Sequence, residues 1–244
     1  MQYCKQPLRC SNEQRAVSLA RILITSGPTR QYLDPVRYLT NASSGRMGAC
    51  LADAALRRGH QVTIVSGPVG VDYPPDAQVI PVVTTDDMLR EVNDRFGLHD
   101  GLIGAAAPCD YMPKRVSESK LTKDGSPLKL ELVETADVVA TAARNKRSDQ
   151  WVVGFALETE DRRFRAVVKM QRKCCDLMVS NGPAAIDSPD NDVEILAADG
   201  LTIARAVGDK QVVADAILSS IHATLLTQPD TLAEQSVANE PRKQ

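Results

Sequence analysis

Residues 21–48 read RILITSGPTRQYLDPVRYLTNASSGRMG, and this stretch decides the fold class. Arg21-Ile-Leu-Ile-Thr25 is a short, β-branched-rich apolar run, the pattern of a strand buried on both faces. Gly27 follows it directly, and an apolar helical period (Met47, Leu51, Ala54, Ala55) begins only after Ser43-Ser44-Gly45. Strand-to-helix loops usually take about 2 to 6 residues, so a loop from Ser26 to Ser44 is a functional candidate. Small residues beside free backbone N–H groups at a helix start let an anion approach closely. Arg30, Arg37 and Asn41 lie in the same loop.

Further runs repeat the strand pattern: Gln61–Val65, Gln78–Val83, Gly101–Ala105, Trp151–Phe155 and Asp176–Val179. Between them, Met88, Val92 and Phe96 mark a helix with Thr84 and Thr85 as cap candidates and Asp86 and Asp87 in its first turn. Thr135 is the cap expected for a third helix, with Val139, Ala142 and Ala143 turned inward. A fourth spans Asp161–Lys173, and a last one begins at Asp209. Asp192–Ala197 and Leu201–Ala206, joined through Asp199-Gly200, read as an antiparallel hairpin. The alternation predicts an α/β fold, a doubly wound, Rossmann-like, mostly parallel sheet with an antiparallel hairpin added near the C-terminus. Its ligand crevice is expected at the carboxyl ends of the strands. Residues 1–20 are expected to be loose, 21–226 to form one domain, and 227–244 to be a disordered tail.

Composition narrows the function. The 244 residues carry a formal net charge of -2, so no basic excess points to nucleic acid. No apolar run approaches the roughly 20 residues of a spanning helix and no secretory leader is visible, so a cytoplasmic chain without membrane partners is expected. The six cysteines form no C-x-x-C pair and the three histidines lie far apart, so a protein-ligated metal is not expected. The cysteines read as free, buried thiols. Neither the dinucleotide fingerprint nor a P-loop occurs.

Two more segments carry candidate chemistry. Gly101–Ala105 opens into Ala105-Ala-Ala-Pro-Cys-Asp-Tyr111, where small residues and the Asp110 carboxylate face the expected crevice; a polar stretch, MPKRVSESKLTKDGSP, follows as a candidate lid. On the fourth helix, Arg165, Lys169 and Lys173 recur at spacing four. Like charges at that spacing repel by a few tenths of a kcal/mol per pair unless an anion compensates them.

DPVRYLTNASSGRMG, AAAPCDY followed by SESKLTK, VVGFALET, and KMQRKCCDLMVSN together resemble the phosphopantothenoylcysteine synthetase family, the phosphopantothenate:cysteine ligases of coenzyme A synthesis. The likeness spans Arg21–Ile221 and is to the bacterial type. It implies a ligase domain acting on 4'-phosphopantothenate, cysteine and a nucleoside triphosphate, CTP (or ATP), with Mg2+ held through the nucleotide phosphates. The carboxylate of phosphopantothenate attacks the α-phosphate to give an acyl nucleotide and pyrophosphate, and the amine of cysteine then displaces the nucleoside monophosphate.

By position, the resemblance assigns catalytic roles to Asn41, Lys120 and Arg37. Asn41 holds the acyl nucleotide and donates to the developing oxyanion, Lys120 is the lysine of a flap, and Arg37 supports the same site. Nucleotide binding falls to Gly27, Ser43, Gly45, Asp110, Ala136, Asp137, Val138, Val139, Phe155, Lys169 and Lys173. The pantothenate crevice is assigned to Asn41, Ala106, Ala107 and Asp110. The chain departs from the bacterial pattern at Glu134-Thr-Ala-Asp137, where Lys-Asn-Pro-Asp is usual, at Pro108-Cys109, and at Asn181-Gly182. Glu134 near a polyanion bears on nucleotide choice, and motivates the alternative of a catalytically silent nucleotide-binding relative regulating coenzyme A enzymes. The resemblance also implies a homodimer. With about 20 residues before the first strand, no FMN is expected and the decarboxylation is assigned to a separate decarboxylase protein.

Overall fold

A computed structural model describes residues 18–158, 160–182 and 190–226. The strands are β1 (Arg21–Ser26), β2 (Arg30–Tyr32), β3 (Tyr38–Thr40), β4 (Gln61–Ser66), β5 (Gln78–Pro81), β6 (Gly101–Gly104), β7 (Tyr111–Pro113), β8 (Leu132–Glu134), β9 (Trp151–Leu157), β10 (Leu177–Asn181), β11 (Asp190–Ala197) and β12 (Thr202–Asp209). The helices are α1 (Arg46–Leu56), α2 (Thr85–Phe96), α3 (Val138–Arg144), α4 (Arg162–Lys173) and α5 (Lys210–Ile221), the last continuing into a π turn over His222–Leu226. Eight strands form one sheet in the order β12-β11-β10-β9-β6-β1-β4-β5. The six strands from β10 to β5 run parallel, whereas β11 and β12 are antiparallel, which is the expected α/β architecture with its added hairpin.

The period of two in each buried run divides its side chains between two cores. Ile22, Ile24, Ile103, Val153, Leu177 and Val179 face α1 and α5, while Leu23, Leu102, Val152 and Met178 face α2, α3 and α4. Helices on both faces explain why these strands are apolar throughout. Burying each such side chain contributes about 1.5–3 kcal/mol. Strand order reverses at β1, with β4 on one side and β6 on the other, so the crevice lies beyond the carboxyl ends of β1 and β6.

Helix ends follow local chemistry. Thr84 and Asp87 form a reciprocal capping box on α2. Thr135 does not cap α3: its hydroxyl donates to the Cys109 carbonyl, and the Asp137 carboxylate accepts from the Ala140 N–H instead. The helix starts later than expected because Asp137, a strong N-cap residue, sits where the chain turns. Val138, Ala140, Ala142 and Ala143 are buried, while the partly exposed Val139 lines the crevice. Among the cysteines described, Cys109 and Cys175 are buried as expected, Cys50 is half-buried, and Cys174 is exposed, a correction that follows from its left-handed position (φ 56°) closing α4.

The sequence reading missed two small ribbons. β2 pairs with β3 inside the long first loop, and β7 pairs with β8 on either side of the expected lid. Of the segments expected to be loose, residues 1–17 and 227–244 lie outside the described residues, while Ala20 is buried and donates its N–H to His60 Nδ1. Among the described residues no helix is long and apolar enough to cross a membrane.

Candidate functional site

A cavity of about 820 Å³ opens at the carboxyl ends of the central strands. It contains most of the residues singled out from sequence: Asn41, Ser43, Gly45, Ala106, Ala107, Asp110, Ala136, Asp137, Val138, Val139, Phe155, Lys169 and Lys173 all line it. Gly27, Arg37 and Lys120 do not.

One wall is the start of α1. Gly45 takes φ 77° at the N-cap and no side chain caps the helix, so its first N–H groups face the cavity. Gly48 permits a close approach of α1 to β1, because a Cβ there would fall 2.1 Å from Ser26 Oγ. Ser26 Oγ in turn donates to the Gly45 carbonyl at 3.2 Å and accepts from Tyr73 OH at 2.9 Å. An uncapped helix N-terminus built from small residues suits a phosphate or carboxylate.

The opposite wall is cationic. Lys169, Arg172 and Lys173 reach the cavity from α4, and Arg144 joins them from α3. Lys169 lies 3.7 Å from Glu158, and Lys173 lies 2.9 Å from Asp137. Burial acts to raise the Asp137 carboxyl, but the Ala140 N–H and the Lys173 ammonium outweigh it and hold the group below its ordinary range.

Between the walls runs the loop after β6, fixed by threonines. Thr25 Oγ1 accepts from the Ala106 N–H at 3.3 Å, Thr29 Oγ1 accepts from the Cys109 N–H at 2.8 Å, and Thr85 and Thr135 donate to the Cys109 carbonyl. Burial pushes the Cys109 thiol up, leaving it protonated near neutral pH. Asn41 Nδ2 donates to the carbonyls of Ala107 (3.3 Å) and Pro108 (2.9 Å), so the asparagine bridges the first loop to this one. Glu134 lines the cavity beside this loop.

Arg37 lies outside the cavity and is linked there to Leu121, the residue after Lys120. The Asp34 carboxylate, fully buried, accepts from the N–H groups of Val36, Arg37 and Leu121 and from the Arg37 guanidinium. Burial would lift its pKa, and these donors together hold it far below the usual carboxylate range. Arg37 also donates to the Leu121 carbonyl at 2.5 Å. The Asp34–Arg37 pair thus clasps the lid at the residue after Lys120. Arg30 stacks over the Tyr38 ring at 4.5 Å and stiffens the ribbon that carries the pair.

Sequence reasoning missed Arg144, Asn191 and Lys210 as cavity residues, although the Asp209 N-cap immediately before Lys210 was visible. Among the described residues no group of three or more His, Cys, Asp or Glu is placed to hold a metal.

Comparison with known proteins shows the family and the fold. Residues 17–225 match the family model "DNA/pantothenate metabolism flavoprotein C-terminal domain". The chain is 37% identical to the coenzyme A biosynthesis bifunctional protein CoaBC of Vibrio vulnificus over 84% of its length and 52% of that protein. It is 38% identical to the CoaBC protein of Bacillus subtilis over 83% of its length and 51% of that protein. The chain therefore spans about half the length of these curated relatives. The crystal structure of the C-terminal domain of a CoaBC protein superposes with a TM-score of 0.74 at 34% identity, covering 86% of this chain and 98% of that one. The chain belongs to the DNA/pantothenate metabolism flavoprotein C-terminal domain family, with the fold of the CoaBC C-terminal domain.

Proposed function

We propose that this chain is a phosphopantothenate:cysteine ligase of coenzyme A biosynthesis, consuming CTP, or ATP, as co-substrate. The observation that carries the reading is the single cavity in which an uncapped helix N-terminus, the Asn41–Asp110 loops and the α4 lysines converge. Its volume, about 820 Å³, is at the upper end of ordinary ligand pockets, room for two substrates at once.

The chemistry suits these groups. A carboxylate is ionised at neutral pH and needs no general base, so the first step asks only that anions be brought into line and their charge neutralised. The carboxylate oxygen attacks the α-phosphorus, the bond to pyrophosphate breaks, and Lys169, Lys173 and the start of α1 supply positive potential. In the second step the amine nitrogen attacks the acyl carbon, the carbon–oxygen bond to the nucleotide breaks, and one amine proton is lost. Asn41, already at the Ala107 and Pro108 carbonyls, is placed to turn its N–H toward the developing oxyanion. When bound with the nucleotide, Mg2+ would offset the charge of its phosphates. Three carboxylates line the cavity, Asp110, Glu134 and Asp137, and of these Asp110 and Asp137 would meet the metal–nucleotide complex.

The same reading includes a homodimer. β12 is an edge strand of the large sheet and exposes Ile203 and Val207, the latter 72% accessible, as an unpaired edge suited to a second copy. The ligase assignment is tested by pyrophosphate release from CTP and from ATP. Release that depends on 4'-phosphopantothenate supports it, and phosphopantothenate-independent hydrolysis overturns it.

A further inference from the structure

The cations that recur at spacing four along α4 repel one another. The structure meets each with a carboxylate from a different position: Arg165 lies 3.4 Å from Glu160, Lys169 lies 3.7 Å from Glu158, and Lys173 lies 2.9 Å from Asp137. Of these three cations Lys169 and Lys173 line the cavity, so an incoming anion meets lysines that already have partners.

The two partnerships differ. Asp137 is held independently of Lys173, because it caps α3 through the Ala140 N–H, and both of its oxygens lie within hydrogen-bond reach of the ammonium. Glu158 is the residue after β9, and the period of two places it on the face of Val152 and Ala156, the one that α4 covers. Its N–H donates to the Asn181 carbonyl at 3.2 Å, which continues the β9–β10 pairing and fixes the backbone. Its side chain is 16% accessible and does not line the cavity, and among the described residues its carboxylate has no partner other than Lys169. At 3.7 Å that pair is a charge contact beyond hydrogen-bond length. Lys169 therefore turns toward a phosphate with no hydrogen bond to break, whereas Glu158, mostly buried, is left without its counter-ion. A buried carboxylate stripped of its cation is unfavourable, so the displaced Glu158 draws Lys169 back.

We infer that Glu158 is a positioning residue that sets how tightly the cavity holds phosphate-bearing ligands: as the resting counter-ion of Lys169 it loosens the grip on the triphosphate and hastens the departure of pyrophosphate. It touches neither ligand and acts through Lys169. The inference rests on the ligase reading, in which pyrophosphate leaves at every turnover. Holding substrate and product more tightly alike lowers KM without raising kcat, so a counter-ion that competes with both favours turnover.

The test is calorimetric titration of the full chain with inorganic pyrophosphate in the presence of Mg2+, in wild type, Glu158→Gln, Lys169→Met and the double variant. Glu158→Gln keeps the side-chain shape and removes its charge. The pyrophosphate Kd is expected to fall about 2- to 10-fold in Glu158→Gln, to rise about 10-fold in Lys169→Met, and to be unmoved by Glu158→Gln once residue 169 is methionine. In turnover, pyrophosphate inhibition strengthens and the nucleotide KM falls by the same factor as the Kd, while the cysteine KM stays. Glu158→Asp, which draws the charge back by one methylene, gives a smaller fall in Kd and serves where Glu158→Gln fails to fold. Unchanged or weaker pyrophosphate binding in the folded variant overturns the inference, since a merely structural Glu158 lowers the urea midpoint without tightening the anion. Equal tightening in the Lys169→Met background also overturns it, because Glu158 then acts on the cavity at large and not through Lys169. A wild-type chain that binds pyrophosphate yet forms no amide overturns the ligase reading while the binding comparison stands, which separates the two failures.

Discussion

The ammonium of Lys173 lies between the two carboxylate oxygens of Asp137, 2.9 Å from Oδ2 and 3.1 Å from Oδ1, at the edge of the central cavity. Asp137 is simultaneously the N-cap of α3, so a single carboxylate orders a helix and parks a cation. A triphosphate entering the cavity competes with Asp137 for that cation. Lys173→Met is therefore expected to raise the nucleotide KM about 10- to 100-fold, the worth of one charge-assisted contact, while α3 keeps its cap. Asp137→Ala, by contrast, loses the cap and costs about 1 kcal/mol of stability. Steady-state kinetics and urea unfolding of the two variants check the division; a Lys173→Met enzyme with unchanged nucleotide KM contradicts it.

Arg37 touches the lid rather than the cavity. Its guanidinium joins Asp34 to the Leu121 carbonyl, one residue beyond Lys120. Arg37→Ala is expected to slow pyrophosphate formation about 10- to 100-fold by freeing the lid, and Arg37→Lys to restore little, because an ammonium lacks the planar fork. Limited proteolysis gives an independent reading: cleavage within residues 114–130 should accelerate in Arg37→Ala. Equal cleavage in wild type and variant would mean that the clasp does not hold the lid.

Asn41→Asp replaces a donor to two carbonyls by an anion facing them. The expected result is a fall in amide formation of about 100-fold or more, with acyl nucleotide accumulating or hydrolysing. Rapid-quench analysis of the intermediate checks this. Full turnover in the variant would remove Asn41 from the second step.

His60 makes the fold acid-sensitive at the end opposite the cavity. Its Nδ1 accepts the Ala20 N–H at 3.0 Å, so the neutral ring carries its proton on Nε2, 2.5 Å from His222 Nε2. Burial, the His222 ring and Arg58 lower its pKa to about 4. The unfolded chain, with an ordinary histidine near 6.5, binds the proton first as pH falls, so stability is whole above about 6.5 and declines as pH drops toward about 4. The expected loss is of order 1–3 kcal/mol, read as a falling urea midpoint between pH 7 and pH 4, and His60→Gln should flatten that slope. A slope that persists in the variant places the sensitivity elsewhere.

How much of this the sequence revealed depended on the kind of signal. The runs ILI at 22–24 and VV at 152–153 report burial on both faces, and so they disclose parallel strands and the two cores directly. The glycines and serines at 43–48 and the α4 lysines likewise lie in the cavity, because helix starts and spacing of four are local properties. Thr135 was misread since two strong cap residues stand within three positions and only the path of the chain selects Asp137. The ribbons β2–β3 and β7–β8 were invisible because each is three residues a strand and lacks sustained alternation. Asn191 and Lys210 went unnoticed for a different reason: their place in the cavity follows from the register of β11 on β10 and from α5 following β12, relations among distant segments.

The central claim is that this cavity joins phosphopantothenate to cysteine at the expense of a nucleoside triphosphate. Its most direct measurement is mass detection of the products after incubating the purified chain with Mg2+, 4'-phosphopantothenate, cysteine and either CTP or ATP. The account predicts phosphopantothenoylcysteine, pyrophosphate and nucleoside monophosphate in equal amounts, with none of the three formed when phosphopantothenate is omitted. Folded protein that binds nucleotide yet yields no amide with either triphosphate would contradict it.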